Sequence, residues 1–315
     1  FCKPSEPEDN GYVNLVGGKS MIKRIKNHSV GDMVFDASIA LFLLLAVVVC
    51  VYPFLYVVSV SISSGEAVNK GLVTLLPVDL NFEALKSVLA YKQLWTSYGN
   101  TIFYTVAGTA FNIVFTCLAA YPLSRKTFCF RKPMNFLLAF TMYFSGGLIP
   151  IYIVVTNLGL YNSRWSMILP VLVSAYNVMI CRSAFESISE ELFEEAKLEG
   201  ANDILIMTKI AIPLIRPTLA VLTLYYAVAR YNDFFNAMLY ISDKKLEPLQ
   251  LFLRRILLEA SSEIMQTTSV TMAAASQSSI QVRYVCIVVS VIPIMLIVPF
   301  VQKYLVEGTM LGAVK

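Results

Sequence analysis

Seven of the chain's 21 acidic residues fall between 186 and 203: Glu186, Glu190, Glu191, Glu194, Glu195, Glu199 and Asp203. Carboxylates gathered this closely are either a solvated acidic loop or a handle by which another protein takes hold. Little else on the chain could do bond-breaking chemistry. The one histidine, His28, lies in a basic stretch, and the six cysteines (Cys2, Cys50, Cys117, Cys129, Cys181, Cys286) contain no CxxC pair. That leaves no disulfide framework and no metal site, and cysteines within apolar runs pack as small hydrophobes. Gly18-Lys19-Ser20 brushes the phosphate-binding GxxxxGK[ST] pattern, but Val13 stands where its first glycine is required and no strand precedes it. A second charged set, Arg230 and Asp233, sits beside an apolar run and can share a helical face. Charge inside a membrane helix is functional by default; the plainer alternative is a pair holding a helix end at the external interface.

Composition says what must position these groups. Of 315 residues, 57% are hydrophobic and 15% charged, and the mean hydropathy is +0.66. Soluble domains carry about 25% charged residues, so a soluble enzyme, a disordered chain and a nucleic-acid binder all fit poorly. The net charge of +4 says little about partners. Residues 37–65, 93–124, 133–163, 165–181 and 284–302 hold no Asp, Glu, Lys or Arg, and apolar runs of this length read as membrane helices. An all-α polytopic membrane protein with six spans is expected, at 36–62, 99–123, 134–156, 165–185, from about Pro213 to 230, and 283–304. Gly146, Gly147 and Pro150 should break or kink the third, and Arg216 can snorkel from the fifth. The short loop 124–132 holds Arg125, Lys126, Arg131 and Lys132 and reads as cytoplasmic. The loop 157–164 and the longer segments 64–98 and 240–282 read as external. Both termini are then cytoplasmic: a basic segment 21–35, a transmembrane region 36–304 and a tail 305–315. Residues 1–20 are expected to be a non-native or disordered extension. They begin with Phe1, show no apolar periodicity, and their Gly17-Gly18 codons can spell a ribosome-binding tract ahead of Met21.

The acidic cluster therefore lies in a cytoplasmic loop, 186–213, between the fourth and fifth spans. The loop carries helix signals. Ser187 with Glu190 fits a capping box, or Ser189 caps a helix opening with Glu190 and Glu191. Leu192, Phe193 and Ala196 share one face, with Glu194 roughly opposite. Gly200 is placed for a left-handed stop, and Asn202 can cap a second helix running to Pro213.

Glu194-Glu195-Ala196-Lys197-Leu198-Glu199-Gly200, followed nine residues later by Ile210-Ala211-Ile212-Pro213, resembles the EAA loop of ABC importer permeases. Two positions depart from that pattern, Glu195 where alanine is usual and Ile212 where leucine is usual. Residues 144–170 and 225–241 are similar to carbohydrate-uptake permeases of the type of the smaller maltose permease subunit. The tail EGTMLGAVK resembles a branch associated with complex oligosaccharide or polysaccharide uptake. The resemblance implies a MetI-like type I permease fold at the bacterial plasma membrane. It implies a homologous second permease, two nucleotide-binding ATPase subunits that hold ATP and Mg, and an extracellular solute-binding protein. It implies no catalysis and no cofactor on this chain. The coupling residues would be Leu192, Phe193, Glu194, Glu195, Ala196, Gly200, Ile210 and Pro213, with Glu194 facing a basic residue of the ATPase.

Sugar sites combine aromatic faces with amides and carboxylates, which singles out Tyr176, Asn177, Tyr225, Tyr226, Arg230, Asn232, Asp233 and Asn236 as candidates to line a path. Residues 242–281, with Lys244, Lys245, Arg254 and Arg255, are a candidate contact for the binding protein. Two alternatives remain: a permease for a non-sugar solute, and a channel or secondary transporter. The second should show paired repeats or a gating ring of charges, and neither is found.

Overall fold

The computed structural model describes residues 30–266, 281–293 and 295. The described residues are helical with no strand. Residues up to Leu55 and those from Tyr56 onward form two compact units. The first holds most of α1 (Val30–Ser61), an apolar rod whose side chains from Met33 to Val49 are nearly all exposed, as expected of a surface solvated by lipid.

The second unit is organised around α4 (Lys92–Ser124). One face of α4 buries Thr101, Gly108, Asn112, Thr116, Ala120 and Ser124. Small and polar residues at near-fourfold spacing let helices approach closely without water between them. Against this stripe pack α7 (Ala175–Glu186) and α10 (Arg216–Tyr231). Short helices α2 (Gly65–Asn69) and α3 (Glu83–Leu89) precede α4.

Two expected spans are broken. The third is α5 (Arg131–Tyr143) and α6 (Leu148–Asn157), bent by 113°. Gly147 sits in the gap at φ +84°, which the absence of a Cβ permits. The fourth was expected as one helix over 165–185. Instead a 3₁₀ turn (Arg164–Met167) leads to irregular backbone over 168–174, and only then to α7. Pro170 explains the break: it has no N–H and pushes Leu169 away from the α region. The expected fifth, from about Pro213 to 230, is the single helix α10, which meets the loop's second helix α9 (Asp203–Leu214) at a bend of 85°. Pro217 cannot donate to the carbonyl of Pro213, and its ring crowds that carbonyl. Within α9, Ile206–Ala211 forms a π-helical stretch.

The segment after α10 is more ordered than a loop. It contains α11 (Phe235–Tyr240), a 3₁₀ turn (Lys244–Leu246) and the 18-residue α12 (Leu249–Gln266). Leu249, Phe252 and Leu253 are buried against α13 (Gln281–Pro293), a shorter apolar helix. The turn before α12 is tied to α4: Asn100 Nδ2 donates to the carbonyls of Lys245 (2.7 Å) and Glu247 (3.1 Å), and Thr101 Oγ1 accepts from Leu249 N (2.7 Å). Residues 1–20, 267–280 and the tail 305–315 lie outside the described residues, as does most of 294–304.

Candidate functional site

The acidic loop folds as two helices with a glycine turn. The first, α8 (Glu190–Leu198), turns Phe193 and Ala196 inward (4% and 7% exposed), with Leu192 half-buried. Glu194 and Glu195 are exposed. Gly200 adopts φ +85°. The N–H groups of Gly200 and Ala201 return to the carbonyls of Lys197 and Ala196 (3.0 Å each), closing the helix end. A Cβ at Gly200 would meet nothing within 4 Å, so the constraint there is the backbone angle rather than space. Asn202 Oδ1 accepts from Leu205 N at 2.8 Å and opens α9. Ile210 is half-buried against the same core as Phe193, and Pro213 is half-buried.

Neither expected serine cap forms. Ser189 occupies the cap position without a side-chain bond, and Ser187 Oγ donates to the carbonyl of Ala184 (2.7 Å). The helix start is held instead by the basic turn after α4, which the sequence reading used only for orientation. Lys126 bonds Glu190, and Arg131 bonds Glu186, which also accepts from Arg182 Nη2 (2.8 Å). Arg125 lies over the Phe193 ring, 3.7 Å from its centroid, and 5.5 Å from that of Tyr121; its Nη2 donates to the carbonyl of Phe185 (2.8 Å). Tyr121 in turn meets Phe185 and Phe193 edge-on or tilted. Partial burial alone would raise the Glu186 pKa, but the Arg182 and Arg131 hydrogen bonds and charges outweigh it and hold the carboxyl below its ordinary range. The Lys126 hydrogen bond, against slight desolvation, does the same for Glu190.

The seven acids thus divide. Glu186 and Glu190 are committed to the basic turn, and Asp203 pairs with Lys197 at 3.3 Å. Glu191, Glu194, Glu195 and Glu199 make no ion pair among the described residues and are exposed. Charge spacing could have suggested the first group, since two short basic and acidic loops expected on one side must lie near each other.

The second candidate set converges on a cavity of about 340 Å³ between α4, α7 and α10. It is lined by Asn177, Tyr225, Tyr226, Arg230, Asp233 and Asn236 from the sequence expectation, and by Asn112 and Ser174, which that reading missed. Tyr176 and Asn232 do not line it: Tyr176 is exposed, and Asn232 Nδ2 bonds back to the carbonyl of Val228 (3.0 Å). The expected Arg230–Asp233 pair does not form a salt bridge. Arg230, 6% exposed, bonds the carbonyls of Met167, Ile168 (3.1 Å) and Val171 (3.0 Å) and donates to Asn112 Oδ1 (2.7 Å). These carbonyls belong to the irregular segment before α7, where no helix ladder satisfies them. Asp233 instead holds Asn236, accepting from its backbone N (3.1 Å) and Nδ2 (2.9–3.0 Å). Gly108 makes room for the arginine: a Cβ there would stand 3.0 Å from Arg230 Nε. Tyr226 is buried and tied by its hydroxyl to Thr116 (2.7 Å).

No group of histidine, cysteine or carboxylate residues among the described residues is arranged to hold a metal. The geometry is that of a membrane helix bundle with a jointed, acid-tipped knob at one end. Comparison with known proteins agrees. The chain is 38% identical over 285 residues to the polygalacturonan/rhamnogalacturonan transport system permease protein YtcP of Bacillus subtilis, covering 90% of this chain and 99% of that one. It is 27% identical over 285 residues to the melibiose/raffinose/stachyose import permease protein MelC of the same organism, covering 87% and 95%. A solved structure of a bacterial ABC transporter that imports the acidic polysaccharide alginate has a chain similar at TM-score 0.79 and 37% identity, covering 88% of this chain and 99% of that one. Residues 21–310 match the family model of the binding-protein-dependent transport system inner membrane component. The chain therefore belongs to that family, the membrane permease subunits of ABC importers, whose ATP is hydrolysed by separate subunits.

Proposed function

We propose that this chain is one of two homologous halves of the translocation path of an oligosaccharide importer. The observation that carries the reading is the α8–Gly200–α9 knob, with Phe193 and Ala196 turned into the bundle and Glu191, Glu194, Glu195 and Glu199 left facing out. An ATPase subunit with a basic cleft would seat it, with Glu194 as the anchoring charge. ATP and Mg belong to that subunit. Six spans would be α1, α4, α5–α6, the broken segment 165–185, α10 and the segment opening with α13, placing both termini, with the basic segment 21–35 and the tail 305–315, in the cytoplasm. The contact between the loop 186–213 and the basic turn 125–131 supports a shared cytoplasmic side for both.

Motion would pass two ways. When ATP draws the ATPase dimer closed, α8 moves Phe193 against Arg125 and so against α4, while α9 moves α10 through the bend at Ile215. A two-state bundle biased by these contacts would open outward and take sugar from the binding protein. Hydrolysis resets it. The carbohydrate assignment rests on the substrates named for the relatives and on a cavity lined with amides, hydroxyls, a carboxylate and the face of Tyr225.

Gly200→Asp tests the coupling. It forces a side chain onto a left-handed backbone at the joint, so uptake in reconstituted vesicles should fall at least about tenfold while membrane insertion persists. Normal uptake would refute the role. ATPase stimulation by oligosaccharide-loaded rather than peptide-loaded binding protein tests the cargo.

A further inference from the structure

Resting on the carbohydrate reading, we propose that a second cavity, on the side the proposed topology places outside, seats an acidic sugar: Lys244 and Arg255 receive its carboxylate and Tyr91 its ring. The cavity measures about 380 Å³, lies between α3, α12 and the start of α13, and shares no residue with the one between α4, α7 and α10. Lys244 and Arg255 are its cations, Tyr91 and Phe252 its aromatic walls, and no carboxylate lines it. Arg255 Nη2 bonds Glu247 Oε2 at 2.7 Å, and the Glu247 side chain is 6% exposed. Lys244 makes no ion pair among the described residues. Two cations therefore face one carboxylate that stands behind the wall, and a cleft lined by one sign of charge concentrates the opposite sign.

Both cations are held in place. Glu247 fixes the Arg255 fork through Nη2, the one nitrogen of that guanidinium engaged among the described residues, and Nε and Nη1 keep their donors. The turn that carries Lys244 is braced on three sides. Its carbonyl accepts from Gln93 Nε2, and Asn162 Oδ1 accepts from Ser242 N (3.0 Å) and Asp243 N (2.8 Å). Asp243, the neighbouring acid, accepts from Lys245 N (2.9 Å) and so caps the turn rather than lining the cavity. The aromatic wall points to a ring as well as a charge. Tyr91 is 56% exposed and stacks on the buried Phe252, with centroids 5.9 Å apart and planes 28° apart. One side of the Tyr91 ring is thus backed by protein, and the other is open to the apolar face of a pyranose. A small inorganic anion would use the cations alone. A sugar that carries a carboxylate uses both features, and the volume falls in the range of small-molecule sites.

The test uses the complete importer in lipid nanodiscs without binding protein, so that docking of that protein does not contribute. Calorimetric titration compares a uronic-acid tetrasaccharide with the same tetrasaccharide after carboxyl reduction, which is neutral and of equal length. The uronate form should bind about tenfold more tightly than the reduced form. Lys244→Gln changes an exposed side chain and should remove most of that preference, while Lys244→Arg should keep it. Tyr91→Ala should weaken both forms about threefold or more, and Tyr91→Phe neither. Equal affinity for the two forms in wild type, or a preference that Lys244→Gln leaves intact, overturns the proposal while the carbohydrate reading stands. A loss in Lys244→Gln that falls equally on both forms overturns it too, since the lysine would then not read the carboxylate. Binding of neither form also overturns the proposal. The carbohydrate reading falls with it only if oligosaccharide-loaded binding protein fails to stimulate the ATPase.

Discussion

Arg125 and Arg230 are both drawn into the bundle by the failure of a helix, yet they hold it in different ways. Arg230 aims directional hydrogen bonds at three carbonyls of the irregular segment before α7 and at the Asn112 amide of α4, packed against Gly108. Arg125, at the end of α4, lies on the faces of Phe193 and Tyr121 with bonds to the carbonyl of Phe185 and to Ser124 Oγ. A set of fixed acceptors tolerates little displacement. An aromatic face is a broad, shallow surface over which a cation can slide. The first arrangement suits a frame around a cavity, the second a joint that must pass motion from a docked loop into α4.

The comparison is broken most directly at Arg230. Arg230→Ala leaves the carbonyls of Met167 and Ile168 and the Asn112 Oδ1 without their donor, Val171 keeping a bond from Asn112 Nδ2, and at about 1–3 kcal/mol for each uncompensated group the loss should reach about 3–5 kcal/mol after relaxation. A large fall in the melting temperature of the purified complex is expected. Arg230→Lys should restore little, since one ammonium cannot replicate a planar fork. Arg125→Ala removes a cation–π contact of about 0.5–2 kcal/mol and two charged hydrogen bonds, to the carbonyl of Phe185 and to Ser124 Oγ. Here lysine should recover much of the loss. The diagnostic readout is sugar moved per ATP hydrolysed: it should drop in Arg125→Ala at protein levels close to wild type. Equal behaviour of the two lysine variants would erase the distinction between frame and joint.

Gly108→Ala sharpens the same point with a smaller effect. In an open helix this change stabilises by about 1 kcal/mol. Here the new methyl would stand 3.0–3.4 Å from Arg230 Nε, Cδ and Cζ, and an arginine held by four acceptors cannot step aside. The expected sign is destabilising. In the background of Arg230→Ala the clash is gone, and the ordinary gain should return. Melting of the four proteins in that cycle measures the coupling.

How far each region could be read from sequence follows from where its information lies. The acidic loop was legible because Phe193, Ala196, Gly200 and Asn202 act locally: a helix face, a left-handed stop and a cap are properties of neighbouring residues. Its attachment to Arg125, Lys126 and Arg131 was not, because those partners are some 55–68 positions distant. The break at Gly147 was visible, although Pro150, expected to share in it, lies inside the first turn of α6, and Pro170 carried the same signal but was passed over within an apolar run. The polar cavity was half-legible. Six of its members were chosen by residue type, but Asn112 and Ser174 enter only through packing, and Tyr176 and Asn232 turned away. In an apolar helix every side chain can face lipid or protein, so type alone does not give direction. Helix α12 was missed although Leu249, Phe252, Leu253 and Ile256 follow a helical period, because expected length favoured an external loop.

Acid distinguishes the two arginine regions more gently than any substitution. The partners of Arg230 are carbonyls and an amide, which do not titrate. Around the joint, Arg131 and Arg182 bond Glu186, and those cations hold its carboxyl below the ordinary range despite its partial burial. A depressed folded-state pKa stabilises fully above the unfolded value and loses that contribution as pH falls through the lower, folded one. The attachment of the loop to the basic turn should therefore be constant from neutral to mildly acidic pH and weaken only beneath the usual carboxylate range. Because Glu186 is part-exposed, the full loss is about 1 kcal/mol or less. Hydrogen exchange of the α8 amides, followed down the acid limb in detergent-held complex and corrected for intrinsic rates, should show extra opening that Glu186→Gln already displays at neutral pH. Amides of α7 beside the Arg230 frame should show none of it. Parallel acid opening of both would mean that frame and joint are one cooperative unit, and that the knob does not move independently of the cavity it serves.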